Sequence, residues 1–190
     1  ARRCEKETGV VPPPFNEPEN IGRIAASILA VPEDSPPGGY RVRVVDDESP
    51  DGPGDIADRL AAATRGIEVL HRHEREGLGP AYVAGFNHAL AHGAGYVMEI
   101  DADGSHDPRD LARLLAAVRD GDADLALGSR YVDGGQIVAW SMPRRVTSRG
   151  GCWYARTVLG LHIRDLTGGF KCFAREVLES IDLATLRCSG

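Results

Sequence analysis

Four short apolar runs, each set between helical stripes and closed by a polar turn, constrain the fold of this chain more than any other feature. Residues 41–46 (RVRVVD), 67–70, 96–100 and 125–127 read as strands. Ile21, Ile24, Ala25, Ile28 and Leu29 recur at the spacing of a helix packed on one face, and the Pro-Pro-Gly-Gly at 36–39 ends that helix. A second helix is predicted at about 55–64 and a third over 80–92, entered through Gly77-Leu78-Gly79. A fourth begins where Asp107 caps and Pro108 suits the first position, with Leu111, Leu114, Leu115 and Val118 as its buried stripe. Strands alternating with helices through short loops predict an α/β fold with a mostly parallel central sheet flanked by helices. In such sheets ligands sit beyond the carboxyl ends of the strands, where Asp46, Asp47, Asp101, Asp103 and Arg130 collect.

At 190 residues the chain is expected to form a single domain, residues 1–190, burying roughly 70% of the surface it exposes when unfolded. Its 42% hydrophobic and 26% charged content is that of a globular protein and excludes a disordered tail or a disulfide miniprotein. No apolar run is long enough for a membrane span, and the opening residues lack the apolar core of a secretory signal, so an intracellular, cytoplasmic location is expected. Cys4, Cys152, Cys172 and Cys188 have no paired short spacing, so they read as reduced, with Cys152 and Cys172 as packing residues. The net charge of −6 argues against general nucleic-acid binding. Residues 130–164 nevertheless hold six Arg and one Asp, a local +5 suited to holding an anion.

Asp101 and Asp103 flank a small Ala at a strand end, so two carboxylates can approach one site. Hard oxygen ligands in so small a number suit Mg²⁺ or Mn²⁺ shared with a substrate's phosphates. Alone, such a pair also serves as cap and turn former, and the adjacent Asp46 and Asp47 can be plain loop residues. Histidines 71, 73, 88 and 92 read as solvent or packing residues. His88 and His92 stand at i and i+4, but no third zinc ligand suggests itself. His106, inside the Asp-rich loop, is the better functional candidate. Trp140 and Trp153 suit either a lipid groove or a core.

In order along the chain run PPFNEPENI (13–21), VVDDESPDG (44–52), GLGPAYVAGFNHA (77–89), DADGSHDP (101–108), GSRYVDGG (128–135), WSMPRRVTSRG (140–150) and DLTGGFK (165–171). Over residues 10–182 this series resembles the polyprenol (dolichol) phosphate mannosyltransferases, inverting glycosyltransferases of the GT-A fold. The resemblance implies transfer of mannose from GDP-mannose to a polyprenol monophosphate, with Mg²⁺ or Mn²⁺, in peripheral contact with the cytoplasmic face of a membrane. It places Pro13, Phe15 and Glu17 beside the nucleoside, Val45 near the base and Asp47 in a hydrogen bond to it. Asp101, Ala102 and Asp103 would cradle the diphosphate, with Asp101 and Asp103 on the metal and Ser105 within reach of it. Arg130 would neutralise phosphate charge and Arg144 hold the acceptor phosphate, so that Asp103, Arg130 and Arg144 carry the catalysis. The 165–171 segment would close the acceptor side, with Thr167 and its two glycines setting backbone shape.

Phe15 stands where the family usually has Tyr, Gly104 replaces a common Leu, Pro12 and Pro14 stiffen the first strand's end, and an apolar first strand is hardly visible at 7–11. The family continues beyond Gly190, so the chain is expected to lack its C-terminal segment. Two other enzymic or binding readings stay open: a UDP-glucose-dependent polyprenyl-phosphate glucosyltransferase, and a nucleotide-binding pseudoenzyme or fragment. A phosphorylation receiver domain needs a lone acceptor Asp and a Lys beyond it. This chain offers a double Asp and then Arg130.

Overall fold

The computed structural model describes residues 7–12, 18–31, 39–47, 53–73, 77–101, 106–129, 165 and 168–185, together with a broken series between 150 and 160. Six strands form one sheet: β1 (Thr8–Val11), β2 (Tyr40–Asp47), β3 (Ile67–Arg72), β4 (Tyr96–Ile100), β5 (Leu125–Leu127) and β6 (Phe170–Ala174). Their order is β3-β2-β1-β4-β6-β5. β1 pairs in parallel with β2 and β4, and β2 with β3, whereas β6 runs antiparallel to both β4 and β5. The sheet is therefore mostly parallel, with one reversed strand that periodicity alone did not reveal.

Alternation along the strands separates two cores. Val10, Val42, Val44, Met98 and Ile100 face helices α1 (Pro18–Leu29), α2 (Pro53–Ala63) and α4 (Leu111–Arg119), where Ile28, Ala57, Leu111 and Leu115 meet them. Val11, Val45 and Val97 face α3 (Leu78–Ala91) and α5 (Arg175–Ser180), against Ala81, Phe86, Ala89 and Leu178. Each such aliphatic side chain, fully removed from water, contributes about 1.5–3 kcal/mol. Helix α3 lies unusually close to the sheet because Gly85 has no side chain: a Cβ there would stand 2.5 Å from Val11 Cγ1. Asp107 caps as expected, accepting the Arg109 amide at 2.9 Å, but it opens a 3₁₀ turn (Pro108–Asp110) that leads into α4. Cys172 is buried, as its expected packing role requires, whereas Cys4, Cys152 and Cys188 lie outside the residues described.

The same alternation puts Arg43 on the α3 face, where its side chain is 1% exposed. A guanidinium so desolvated needs partners, and Glu7 Oε1 at 2.6 Å, from the residue preceding β1, and Glu68 Oε2 at 3.1 Å, from β3, supply them. Gly9 leaves the room: its Cβ would lie 2.8 Å from Arg43 Nη1. This charge-paired interior explains why the first strand is so faint in the sequence. Only Val10 and Val11 are aliphatic there, and Thr8 and Gly9 are buried without an apolar side chain.

Candidate active site

The parallel strands deliver their C-terminal ends to one edge of the sheet. There β2 ends in Asp46 and Asp47, β4 runs into Asp101, and β5 runs into Gly128 and Ser129. The reversed β6 begins at the same edge, so Gly168 and Gly169 arrive beside Asp101. Extending the β4–β6 register by one residue sets Gly169 against Asp101. A Cβ at Gly169 would stand 2.5 Å from both Cγ and Oδ2 of that carboxylate. Gly169 thus leaves side-chain room for Asp101 rather than meeting a backbone requirement, since its φ is not positive. A Cβ at Gly168 would meet the Gly128 carbonyl at 3.4 Å and the Asp165 carboxylate at 3.7 Å.

Asp101 is held at this rim with its side chain 35% exposed, and the buried imidazole of His106 places Nε2 3.8 Å from Asp101 Oδ2. His106 stacks on Phe170, ring centroids 4.9 Å apart at 29°. Phe170 in turn sits against Gly128, whose Cβ would approach its ring at 3.1 Å from Cγ, and its carbonyl accepts the Gly128 amide at 2.8 Å. The loop histidine singled out in the sequence is therefore a neighbour of the key carboxylate, braced through an aromatic ring on β6.

Asp101 offers hard carboxylate oxygens partly open to solvent, and no group of three His, Cys, Asp or Glu forms a cage among the described residues. That donor set fits a cation such as Mg²⁺ or Mn²⁺, which takes its remaining ligands from diphosphate oxygens and water. It does not suit a closed structural zinc centre. His88 and His92 stack with centroids 4.1 Å apart. Burial, then the neighbouring His92 and Arg43, hold His88 below the ordinary histidine range.

Of the donor-side residues expected from sequence, Asp101 stands at the rim and Asp47 ends β2 opposite Arg72. Val45 is 1% exposed and packed under α3, within the core beneath the site. Pro13, Phe15, Glu17, Ala102, Asp103, Ser105, Arg130, Trp140, Arg144 and Thr167 lie outside the described residues.

Two features went unread in the sequence. His71, taken as a solvent or packing residue, bridges Asp46 Oδ2 on β2 at 3.2 Å and Asp58 Oδ1 on α2 at 3.0 Å. Glu99, an acid inside an otherwise apolar strand, is buried and hydrogen-bonded by Lys171 of β6; the charge within YVMEI was the available signal. The hydrogen bonds to Asp58 and then Asp46 raise His71 above the ordinary histidine range. A raised folded-state value means that protonated His71 stabilises the fold fully below about pH 6.5, the unfolded value. That contribution fades as pH rises through the higher folded value. Because His71 is 45% exposed, the effect falls in the range of solvent-screened pairs, about 0.2–1 kcal/mol. The melting temperature of His71→Gln is therefore expected to fall below wild type at pH 5.5 and to converge with it at pH 9. Equal deficits at both values would assign His71 a packing role instead.

A mostly parallel sheet flanked by helices, with acidic residues gathered at its carboxyl edge, is an α/β architecture of the GT-A type. The sequence profile of glycosyl transferase family 2 matches residues 10–182, and the chain belongs to that family. Polyprenol monophosphomannose synthase of Mycolicibacterium smegmatis is 45% identical over 190 residues, covering 99% of this chain and 69% of that protein. Undecaprenyl-phosphate mannosyltransferase of Micrococcus luteus is 44% identical over 182 residues, 94% of this chain and 70% of that protein. Among solved structures, a mannosyltransferase from Pyrobaculum calidifontis in complex with GDP-Man and Mn²⁺ superimposes with a TM-score of 0.59 at 21% identity. That match covers 94% of this chain and 47% of the solved one, and it supports the fold.

Proposed function

We propose that this domain transfers mannose from GDP-mannose to a polyprenol monophosphate with inversion, releasing GDP and polyprenyl phosphate mannose. The observation that carries the reading is the 45% and 44% identity to two polyprenyl-phosphate mannosyltransferases over 99% and 94% of this chain. The chemistry agrees. A phosphate monoester has a second pKa of about 6 and is largely ionised at neutral pH. Its oxygen therefore attacks the anomeric carbon without a strong general base, while the bond to the nucleotide's diphosphate breaks on the opposite side. The work left to the protein is to orient two anions and stabilise the departing diphosphate.

In this reading Asp101 and Asp103 hold Mg²⁺ or Mn²⁺. When bound, that ion supplies Lewis-acid stabilisation of the leaving diphosphate. Pro13, Phe15, Glu17 and Asp47 receive the nucleoside, Val45 packs near its base, and Ala102 joins the two carboxylates in cradling the diphosphate. Arg130 neutralises diphosphate charge, and Arg144 orients the acceptor phosphate. An Arg about 4 Å from a phosphate charge interacts by roughly 4 kcal/mol at an effective dielectric of 20, which is enough to govern the rate.

Attachment at the cytoplasmic face of a membrane belongs to the same reading. No helix among the described residues is long and apolar enough to cross a membrane. Trp153, Tyr154 and Val158, however, are 68%, 66% and 62% exposed in a stretch that also contains Arg149 and Arg156. Large apolar side chains left in water, in a stretch of sequence that also carries arginines, match an anionic lipid surface.

The test is calorimetric titration with GDP and with UDP, each with Mn²⁺, joined to transfer of labelled mannose from GDP-mannose into polyprenyl phosphate. Metal-dependent GDP binding with label in the lipid fraction is the expected result. Preference for UDP, with transfer from UDP-glucose, would establish the glucosyltransferase instead. GDP binding without transfer would establish a nucleotide-binding domain that needs further sequence to act.

A further inference from the structure

The β4–β6 ladder contains a single pair of charged residues, Glu99 opposite Lys171. Lysine is scarce here: Lys6 and Lys171 are the chain's two, against twenty Arg. The Lys171 ammonium hydrogen-bonds Glu99 Oε1, and the two side chains are 24% and 8% exposed. Burial raises the Glu99 carboxyl, and Lys171 partly offsets the shift. Tyr82 of α3 closes over the same place. Burial, followed by the charges of Glu99 and Asp101, pushes its phenol well above the ordinary range, so it stays neutral.

Strand alternation puts Glu99 and Asp101 on one face of β4, two residues apart. Across the ladder, Lys171 and Gly169 are likewise two residues apart on β6. A slip of β6 by one residue would bring Phe170 against Asp101, where even a methyl group from residue 169 has no room. The other cross-strand partners in this ladder, Tyr96 with Ala174, Val97 with Phe173, Met98 with Cys172 and Ile100 with Phe170, are apolar or aromatic and have little directional preference. A hydrogen-bonded ion pair is directional, and a mispaired buried charge is costly.

We propose that Lys171 is a positioning residue for the metal and diphosphate site: by closing on Glu99 it fixes β6 so that side-chain-free Gly169 lies against Asp101 and leaves that carboxylate in its metal-binding orientation. The inference rests on the metal-dependent reading above and extends it to two residues that would act through Asp101.

Its test is the gain in GDP affinity produced by Mn²⁺, measured for each variant as the ratio of GDP dissociation constants in EDTA and in Mn²⁺. The ratio refers each variant to itself, so loss of folded protein does not move it. Glu99→Gln/Lys171→Met removes the pair while conserving net charge and approximate volume, so a change reports position rather than charge. It is expected to lose about tenfold or more of the Mn²⁺-dependent gain, the usual scale for outer partners of metal ligands, with the EDTA value unchanged. Glu99→Asp, which keeps the charge but withdraws the carboxylate by one methylene, carries the same expectation in a milder perturbation. Lys171→Arg retains the pair and is expected to retain the gain. Wild-type gain in either pair-breaking variant would overturn the proposal and leave the pair a plain structural contact. Absence of any gain in wild type would overturn the metal reading and the proposal together.

Discussion

Asp101→Asn is expected to reduce mannose transfer by about 10²–10³-fold, the scale on which a single charge stabiliser of a developing anion acts. The melting temperature should stay close to wild type. Asn has nearly the same shape but no anionic oxygen, so under the proposed metal role it would weaken cation binding and with it the stabilisation of the departing diphosphate. The fold has little at stake, because Asp101 follows the last residue of β4 and keeps 35% of its side chain exposed. Turnover at saturating Mn²⁺, read beside a thermal melt, checks both halves. Turnover within threefold of wild type would take Asp101 out of the metal site.

Gly169→Ala should come close to the same loss by a different route. The added methyl would stand 2.5 Å from Cγ and Oδ2 of Asp101, well inside contact distance, so the carboxylate must move by about an ångström. Displacement of that size in a reacting constellation costs roughly 10²-fold. Gly169 is not among the glycines with positive φ, so alanine meets no backbone penalty there and the loss reports on Asp101 alone. Gly93→Ala is the matching control. Gly93 has φ 85 with nothing within 4 Å of an added Cβ. Alanine there costs about 1–2 kcal/mol of backbone strain and is expected to lower the melting temperature without changing turnover per folded molecule. If Gly169→Ala behaves like Gly93→Ala, crowding of Asp101 is not what the glycine prevents.

The parallel part of the fold was legible because its signals are local. RVRVVD at β2, YVMEI at β4 and the stripes of α1 and α4 each carry their signal within a few residues, α3 was marked by its Gly77-Leu78-Gly79 entry, and acidic residues at two strand ends pointed to the candidate edge. The reversed strand β6 was not legible. FKCFA alternates buried and half-buried positions, but Lys171 interrupts its apolar run and Ala174 is too small to mark a buried face. Its partner is 72 residues away in sequence, at Glu99, and no window of periodicity reaches so far. β1 was faint for a related reason, since its small and polar residues make room for a buried Arg43 supplied by β2. The role of Gly169 was not legible: the resemblance implied a backbone role for the glycine pair, whereas the β4–β6 register shows a glycine that leaves side-chain room for Asp101.

That register also sets the order in which the site can form on the ribosome. Among the described strands β5 pairs with β6 alone, and β6 lies between β4 and β5 although it is the last of the six in sequence. Until residues 170–174 emerge, the nascent sheet can join β1, β2, β3 and β4, but no other described strand covers the outer edge of β4. Val97, Met98 and Ile100, all fully buried in the finished protein, would then lie along an unpaired strand, the kind of edge that templates aggregation. Loop closure over so long a separation is slow. Among the described strands the edge that brings Gly169 to Asp101 is thus the last to be completed, and the interval before β6 docks is when that edge is most open to aggregation.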